Sequence, residues 1–147
     1  MEGDLTLDDC VFCNIVKGTV PESVVYDDNE VLAFMDIQPV NPGHVLVIPK
    51  VHVSGLSNLD EETGTHMFKV GMRVAEAVKR SGVKCEGVNL LLSDGRAAFQ
   101  EIFHVHLHVI PRFEGDNLHI GFGRQYRLKP ERHELDKIAA KIRSALH

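Results

Sequence analysis

Short apolar runs bounded by polar turns occupy much of the chain, and their β-branched and aromatic residues predict β-strands. The runs lie at residues 24–26, 31–35, 44–49, 88–93 and 103–110. Residues 27–29 and 94–96 form short polar turns between neighbouring runs, which favours antiparallel pairing. About five strands are therefore expected.

Two longer stretches repeat apolar residues every three or four positions, which is typical of amphipathic helices. The first runs from residue 58 to about residue 81 and has the stripe Met67, Val70, Gly71, Val74, Ala77 and Val78. The second begins at Pro130 and has the stripe Leu135, Ile138, Ala139, Ile142 and Leu146. Two helices and about five strands predict an antiparallel α+β domain.

The last strand-like run places three imidazoles on one face. Side chains alternate along a strand, so His104, His106 and His108 should point one way and Phe103, Val105, Leu107 and Val109 the other. A single histidine on a strand is usually a satisfied or solvent-facing residue. Three in strict alternation favour metal ligation or nucleophilic and acid–base chemistry. The Cα atoms of His104 and His108 should lie roughly 13 Å apart, so at most two neighbours bind one ion comfortably and at least one is left for chemistry.

Composition narrows the class of protein. At 147 residues, with 44% hydrophobic and 25% charged residues, the chain is expected to form one globular domain. Its net charge of -5 argues against a nucleic acid polymer as partner. Its apolar runs are too short for a membrane partner, and three cysteines without a signal-like start indicate a cytoplasmic protein.

Motifs spread along the chain carry a family resemblance. Residues 104–110 are similar to the histidine-triad pattern of the HIT superfamily of nucleotide hydrolases and transferases. Supporting matches are Cys10-Val11-Phe12-Cys13, Ala33-Phe34-Met35-Asp36, Pro42-Gly43-His44, Pro49-Lys50-Val51-His52, Pro111-Arg112 and Gly115-Asp116. The resemblance implies a five-stranded antiparallel sheet with one long central helix and a C-terminal helix, and a homodimer joined through the long helix and a strand. It is interpreted as a single HIT domain over residues 1–147, with a core of about 10–116 and an extension whose helix spans about 130–146.

The resemblance also assigns catalytic roles. His106 would attack an α-phosphorus to form a covalent nucleotidyl-histidine, while His108 and His44 would flank the phosphate. Gln100 and the backbone N–H groups near Ile102 occupy the positions that stabilise the charge growing on the phosphate oxygens. Glu101 departs from the Ser or Thr of several eukaryotic branches, and its carboxylate would repel an anionic leaving group.

The expected ligand is a purine nucleotide or nucleotide conjugate. By resemblance, Phe12, Ile15 and Phe34 would form an apolar purine slot, although each could equally be core. Asp36 would accept hydrogen bonds from the ribose hydroxyls, and a turn aspartate is the alternative. Asn89 and Ser93 are the polar residues nearest the ribose and phosphate by motif position.

A structural zinc ion is the expected cofactor, and no organic cofactor is expected. Cys10 and Cys13 have the spacing of a zinc knuckle, which is weak evidence by itself. Similar HIT sequences combine such a pair with two histidines, here His52 and His104. Alternatively, the cysteines are small buried residues and His52 is a surface residue. Cys85 has no partner in this scheme and is expected only to pack.

The branch of the superfamily stays open between Fhit-like or general bacterial HIT proteins and the Hint-related branch. The Pro111-Arg112 and Gly115-Asp116 ending resembles the former, and the Trp-Pro-Pro-Gly ending typical of Hint phosphoramidases is absent. Dinucleoside polyphosphates and nucleoside phosphoramidates are both possible substrates. The third histidine, where uridylyltransferases have Gln, favours hydrolysis. The alternatives are a nucleotide-binding regulatory protein with incidental turnover and a metal-dependent hydrolase.

Overall fold

A computed structural model describes residues 9–146, and the chain divides into two compact units with the boundary between Asn117 and Leu118. The helices are α1 (Val11–Lys17), α2 (Glu61–Arg80) and α3 (Arg132–Ala145). The strands are β1 (Val24–Asp27), β2 (Val31–Met35), β3 (Val45–Pro49), β4 (Gly87–Leu92) and β5 (Leu107–Arg112). The strands form one antiparallel sheet in the order β1-β2-β3-β5-β4. This arrangement confirms the predicted α+β class, with its five-stranded antiparallel sheet, long helix and C-terminal helix.

Strands β2 and β3, which lie in the interior of the sheet, bury both of their faces. Alternate residues, including Val31, Ala33 and Val47, pack in the same cluster as the buried stripe of α2. The intervening residues, including Phe34 and Ile48, pack in a second cluster with α1. Strands covered on both faces appear in the sequence as continuous apolar runs, because neither face meets water.

The prediction that all three triad histidines lie on one strand is wrong, because β5 begins at Leu107 and only His108 is within it. The preceding residues leave the regular ladder: the Val105 N–H donates to the Val53 carbonyl at 2.8 Å. The side chains of His104 and His106 also bind backbone carbonyls. The alternation of faces nevertheless persists, since Val105 and Leu107 join the cluster that includes α2.

The second unit contains a 3-10 turn (Arg124–Arg127) and α3. Helix α3 begins two residues after Pro130, as expected for a residue that starts but does not continue helices. Its apolar stripe, including Ile138 and Ile142, is exposed. No helix within residues 9–146 is long and apolar enough to cross a bilayer. The division of residues 1–147 into one HIT domain with an extension stays a prediction, and residues 1–8 and 147 lie outside the described residues.

Candidate functional site

A cavity of about 470 Å³ opens in the first unit and collects most of the predicted site residues. It is lined by residues from α1, β2, the loop before β3, and residues 99–108. The predicted residues among its lining are Phe12, Ile15, Phe34, Asp36, His44, Ile102, His106 and His108. Phe12, Ile15 and Phe34 are buried, Ile102 is half-buried, and Phe12 meets the His106 ring edge-to-face at 5.2 Å between ring centres. The cavity thus has an apolar inner wall beside a group of imidazoles.

His106 has one ring nitrogen held by the backbone and one left with its lone pair. Its Nδ1 lies 2.8 Å from the carbonyl oxygen of His104, which can only accept a hydrogen bond. Nδ1 therefore carries the proton of the neutral ring, and Nε2 keeps a lone pair. This tautomer is suited to nucleophilic attack by Nε2.

His44 and His108 form a second, oriented imidazole pair. The backbone N–H of Val40 donates to His44 Nδ1 at 3.1 Å, so the proton of neutral His44 lies on Nε2. His44 Nε2 is 2.9 Å from His108 Nδ1 and donates to it. The proton of His108 consequently lies on its own Nε2, where it is available to a ligand in the cavity. One backbone amide thus sets the polarity of both rings.

Burial keeps these imidazoles neutral at pH 7. It lowers the pKa of His108 to about 4, and the neighbouring His106 and His44 act in the same direction. Burial also lowers the pKa of His106, against the opposing effect of its hydrogen bond to the His104 carbonyl. The pKa of His44 falls for the same reason, although Asp36 opposes the change. Neutral rings can provide a lone pair at one nitrogen and a donor at the other.

Asp36, His44 and His108 come close enough to be considered as a metal site within the cavity, with ligand atoms within 4.8 Å of one another. The Val40 N–H argues against that use. A metal at His44 Nε2 would require the ring proton on Nδ1, where it would face the Val40 N–H. The arrangement is better suited to hydrogen bonding than to metal ligation.

The loop that carries Val40 is fastened by a polar network at the end of β5. Arg112 binds Asp116 through two nitrogens, at 2.7 and 2.9 Å. The Asn41 side chain donates to Asp116 at 2.9 Å and to the Pro111 carbonyl at 2.8 Å. The Pro-Arg and Gly-Asp motif therefore helps to position the amide that orients His44.

Gln100 is buried and holds the loop before the triad. Its Oε1 accepts from the Gly95 N–H at 2.8 Å, and its Nε2 donates to the carbonyls of Ser54 and Ile102 at 2.7 and 3.1 Å. Both Nε2 hydrogens are thus already donated. This geometry favours a positioning role over the predicted direct contact with phosphate.

Two predicted nucleotide contacts are absent from the cavity lining. Asn89 Oδ1 instead accepts from Arg112 at 2.7 Å, across the β4–β5 pair. Ser93 is half-buried directly after β4. Their roles as ligand contacts stay predictions that the cavity does not support.

Cys10, Cys13, His52 and His104 meet in a second, separate cluster. The His104 Nδ1 lies 3.5 Å from Cys10 Sγ and 3.6 Å from Cys13 Sγ, and His52 Nδ1 lies 3.2 Å from Cys13 Sγ. A tetrahedral zinc ion with ordinary bond lengths separates its sulfur and nitrogen ligands by about 3.6 Å. The observed separations therefore fit zinc.

The surroundings of this cluster also suit a metal. His104 Nε2 donates to the Pro49 carbonyl at 2.8 Å, which leaves the Nδ1 lone pair facing the sulfurs. Cys10 caps α1, and its sulfur accepts from the Cys13 N–H. Burial, together with Cys10, raises the pKa of Cys13 to about 11, so without a metal it is a thiol. Zinc would stabilise the thiolate instead. Cys85 lies elsewhere, packed against the main core.

Sequence reasoning missed three features of the cavity. Val40 orients His44 through its backbone amide, which leaves no residue-type signal. Ile37 and Phe99 line the cavity, yet their side chains are 83% and 87% exposed. Phe99 also has a positive φ of 69°, a conformation that favours glycine, and its residue type gives no sign of it.

Comparisons with known proteins agree with this geometry. The HIT domain pattern matches residues 17–115. Adenosine 5'-monophosphoramidase HNT1 of Saccharomyces cerevisiae is 37% identical over 127 residues, which cover 85% of this chain and 77% of that protein. A HIT family protein from Bacillus anthracis has a crystal structure with a TM-score of 0.88 and 38% identity, over 97% of this chain and 100% of that one. A zinc-bound histidine triad family protein from Mycobacterium smegmatis has a TM-score of 0.74 and 41% identity, over 96% and 100%. The chain belongs to the HIT family.

Proposed function

We propose that the protein is a hydrolase of purine nucleoside 5′-phosphate derivatives and acts through a covalent nucleotidyl-His106. The observation that carries this proposal is the tautomer of His106, whose Nδ1–H is donated to a backbone carbonyl while Nε2 is free beside the cavity. The similarity to an adenosine 5'-monophosphoramidase supports the same chemistry.

The reaction has two displacements at phosphorus. In the first, His106 Nε2 bonds to the α-phosphorus while the bond to the leaving atom breaks. That atom keeps the electron pair and takes a proton from solvent. In the second, water bonds to phosphorus, the phosphorus–nitrogen bond breaks with its electron pair returning to Nε2, and a proton returns to solvent. The products are the nucleoside 5′-monophosphate and the protonated leaving group.

Neighbouring groups would stabilise the charges that form. The His104 carbonyl accepts from Nδ1–H as the substituted His106 ring becomes positively charged. The Nε2–H of His108 is the donor available to a phosphate oxygen, and His44 fixes its direction. Preorganised donors of this kind act chiefly on the transition state.

The nucleoside half would occupy the apolar inner wall. Phe12, Ile15 and Phe34 offer a buried surface for a purine. Asp36 also lines the cavity, and its carboxylate would accept hydrogen bonds from the ribose hydroxyls. Its Oδ1 already accepts from the Gln38 N–H at 2.8 Å. This hydrogen bond fixes the orientation of the carboxylate.

A structural zinc ion in the cysteine and histidine cluster belongs to the same proposal. It would link α1 to the residues around His52 and His104, and His104 supplies the carbonyl that orients His106. Zinc would act on stability and geometry and take no part in bond breaking. The zinc-bound relative supports this assignment.

A homodimer is also proposed, joined through the edge strand β4 and the long helix α2. Strand β4 is an edge strand with an exposed Leu91, and α2 exposes Phe68 and Met72. Unpaired strand edges and contiguous apolar surface are typical of association sites. We also propose a cytoplasmic location, because Cys10, Cys13 and Cys85 form no disulfide, as is usual in a reducing compartment.

The test is intact-protein mass spectrometry after rapid quenching with either adenosine 5′-phosphoramidate or a diadenosine polyphosphate. Wild-type protein should gain one adenylyl group, and His106→Gly should gain none and lose turnover by roughly a thousandfold or more. The control is His119→Gly, which removes an exposed histidine outside the cavity lining and should retain the adduct.

Three other results would refute parts of the proposal. Tight nucleotide binding without turnover would favour a regulatory binding protein. Turnover without an adduct that stops on chelation, and resumes with added zinc, would favour a metal-dependent hydrolase. Equal adduct formation by His106→Gly would reassign the nucleophile.

A further inference from the structure

Two exposed residues of the cavity lining have no role in the reaction proposed above. Phe99 and Glu101 both line the cavity and are both exposed, whereas the purine wall is buried. Between them, Gln100 is buried and held by three hydrogen bonds. Because the nucleoside half is assigned to the buried wall, a leaving group on the other side of the phosphate would lie toward these two exposed side chains.

Phe99 has an unusual backbone conformation for its side chain. Its φ of 69° and ψ of 25° lie in the left-handed region, and it is the one non-glycine residue between positions 9 and 146 with a positive φ. A bulky aromatic is unfavourable there, where glycine or asparagine is preferred. Its ring is 87% exposed, so burial in the core does not offset the strain. Such strain is typical of functional positions.

The charge of the cavity restricts what Phe99 would meet. Three carboxylates line it, from Glu22, Asp36 and Glu101, and none of the described lining residues is Lys or Arg. Among residues 9–146, no group forms an ion pair or hydrogen bond with the Glu101 carboxylate. A polyphosphate leaving group would bring several negative charges to this part of the cavity without a positive side chain. A cationic leaving group would instead be attracted.

We propose that Phe99 and Glu101 form a leaving-group subsite for an amine that carries a positive charge. This inference rests on the proposed function and names its substrate class as nucleoside 5′-phosphoramidates with a cationic leaving amine. The Glu101 carboxylate pairs with the cation, and the exposed ring of Phe99 offers its face to the same charge. Both interactions are exposed to water and therefore modest. Together they should favour a cationic leaving group by roughly threefold to thirtyfold in kcat/KM.

The test compares two adenosine 5′-phosphoramidates of equal length. One is joined through a single nitrogen to 1,4-diaminobutane, and the other is joined to pentylamine, which has a methyl group in place of the distant ammonium. Wild-type protein should prefer the first substrate by the factor above. Glu101→Gln should bring the ratio close to one. The control, Glu30→Gln, removes one exposed negative charge away from the cavity lining and should keep the ratio.

A glycine variant tests the aromatic part of the subsite without risking the fold. Phe99→Gly suits the left-handed conformation, so its melting temperature should rise while its preference for the cationic substrate falls. A wild-type ratio of one, or a ratio that both variants leave unchanged, would overturn the subsite while leaving the hydrolase assignment intact. Absence of turnover and of an adenylyl adduct with either compound would overturn the proposed function itself.

Discussion

Gly71 offers a sharp test of how the core positions the triad. It is buried on α2, and a Cβ built on it would lie 2.8 Å from Cδ2 of Leu107. Leu107 is itself buried and stands between His106 and His108 in the chain. Gly71→Ala therefore pushes on Leu107, the first residue of β5, which lies between the proposed catalytic residues His106 and His108.

Two opposing effects set the magnitude. Alanine in place of glycine favours the helix by about 1 kcal/mol. Overpacking a buried contact typically costs about 1–3 kcal/mol. The net change should be a destabilisation of about 0–2 kcal/mol, measured as the free energy of unfolding in urea. Displacement of the imidazoles should also lower kcat/KM several-fold, since misplacements of about 1 Å reduce rates strongly.

Gly64→Ala is the matched control in the same helix. Its Cβ would lie 3.2 Å from Cδ2 of Leu59, a looser contact that is remote in sequence from the triad. It should be neutral or stabilising and leave kcat/KM unchanged. Adding Leu107→Val to Gly71→Ala should cost at least about 1 kcal/mol less than the two single changes added together. A Gly71→Ala protein that is about 1 kcal/mol more stable, with full activity, would refute the argument.

Two further predictions concern the metal cluster and the oriented imidazoles. Removing zinc with a chelator, or changing Cys13 to Ser, should lower the melting temperature, and zinc should restore it only in the wild type; a melting temperature insensitive to both treatments would contradict the assigned site. Because the pKa of His108 is lowered to about 4 and that of His44 is also lowered, the active neutral pair persists as pH falls below the ordinary histidine value near 6.5. The acid limb of kcat/KM should therefore have its midpoint below pH 6.5, and a midpoint at or above that value would contradict the neutral pair.

Residue pattern alone predicted the antiparallel α+β class, and the structure added that both faces of the sheet are covered. The apolar runs of β2 and β3 and the stripe of α2 show which faces of each segment are buried, and this pattern is local to the segment whichever elements cover it. The spacing of the triad also predicted which side chains share a face, and Val105, Leu107 and Val109 do pack together. Motif resemblance supplied the candidate purine wall and the ligand set for zinc.

Tertiary structure decided the features that depend on contacts between distant segments. The start of β5 at Leu107 follows from hydrogen bonds that the triad backbone and histidines make elsewhere, which periodicity does not encode. The Val40 amide sets the imidazole polarity without any side-chain signal. The Asn89 side chain accepts a hydrogen bond from Arg112 and does not line the cavity, because the β4–β5 register brings Asn89 close to Arg112. The left-handed Phe99 is likewise a property of the folded loop, since local preference would have placed glycine there.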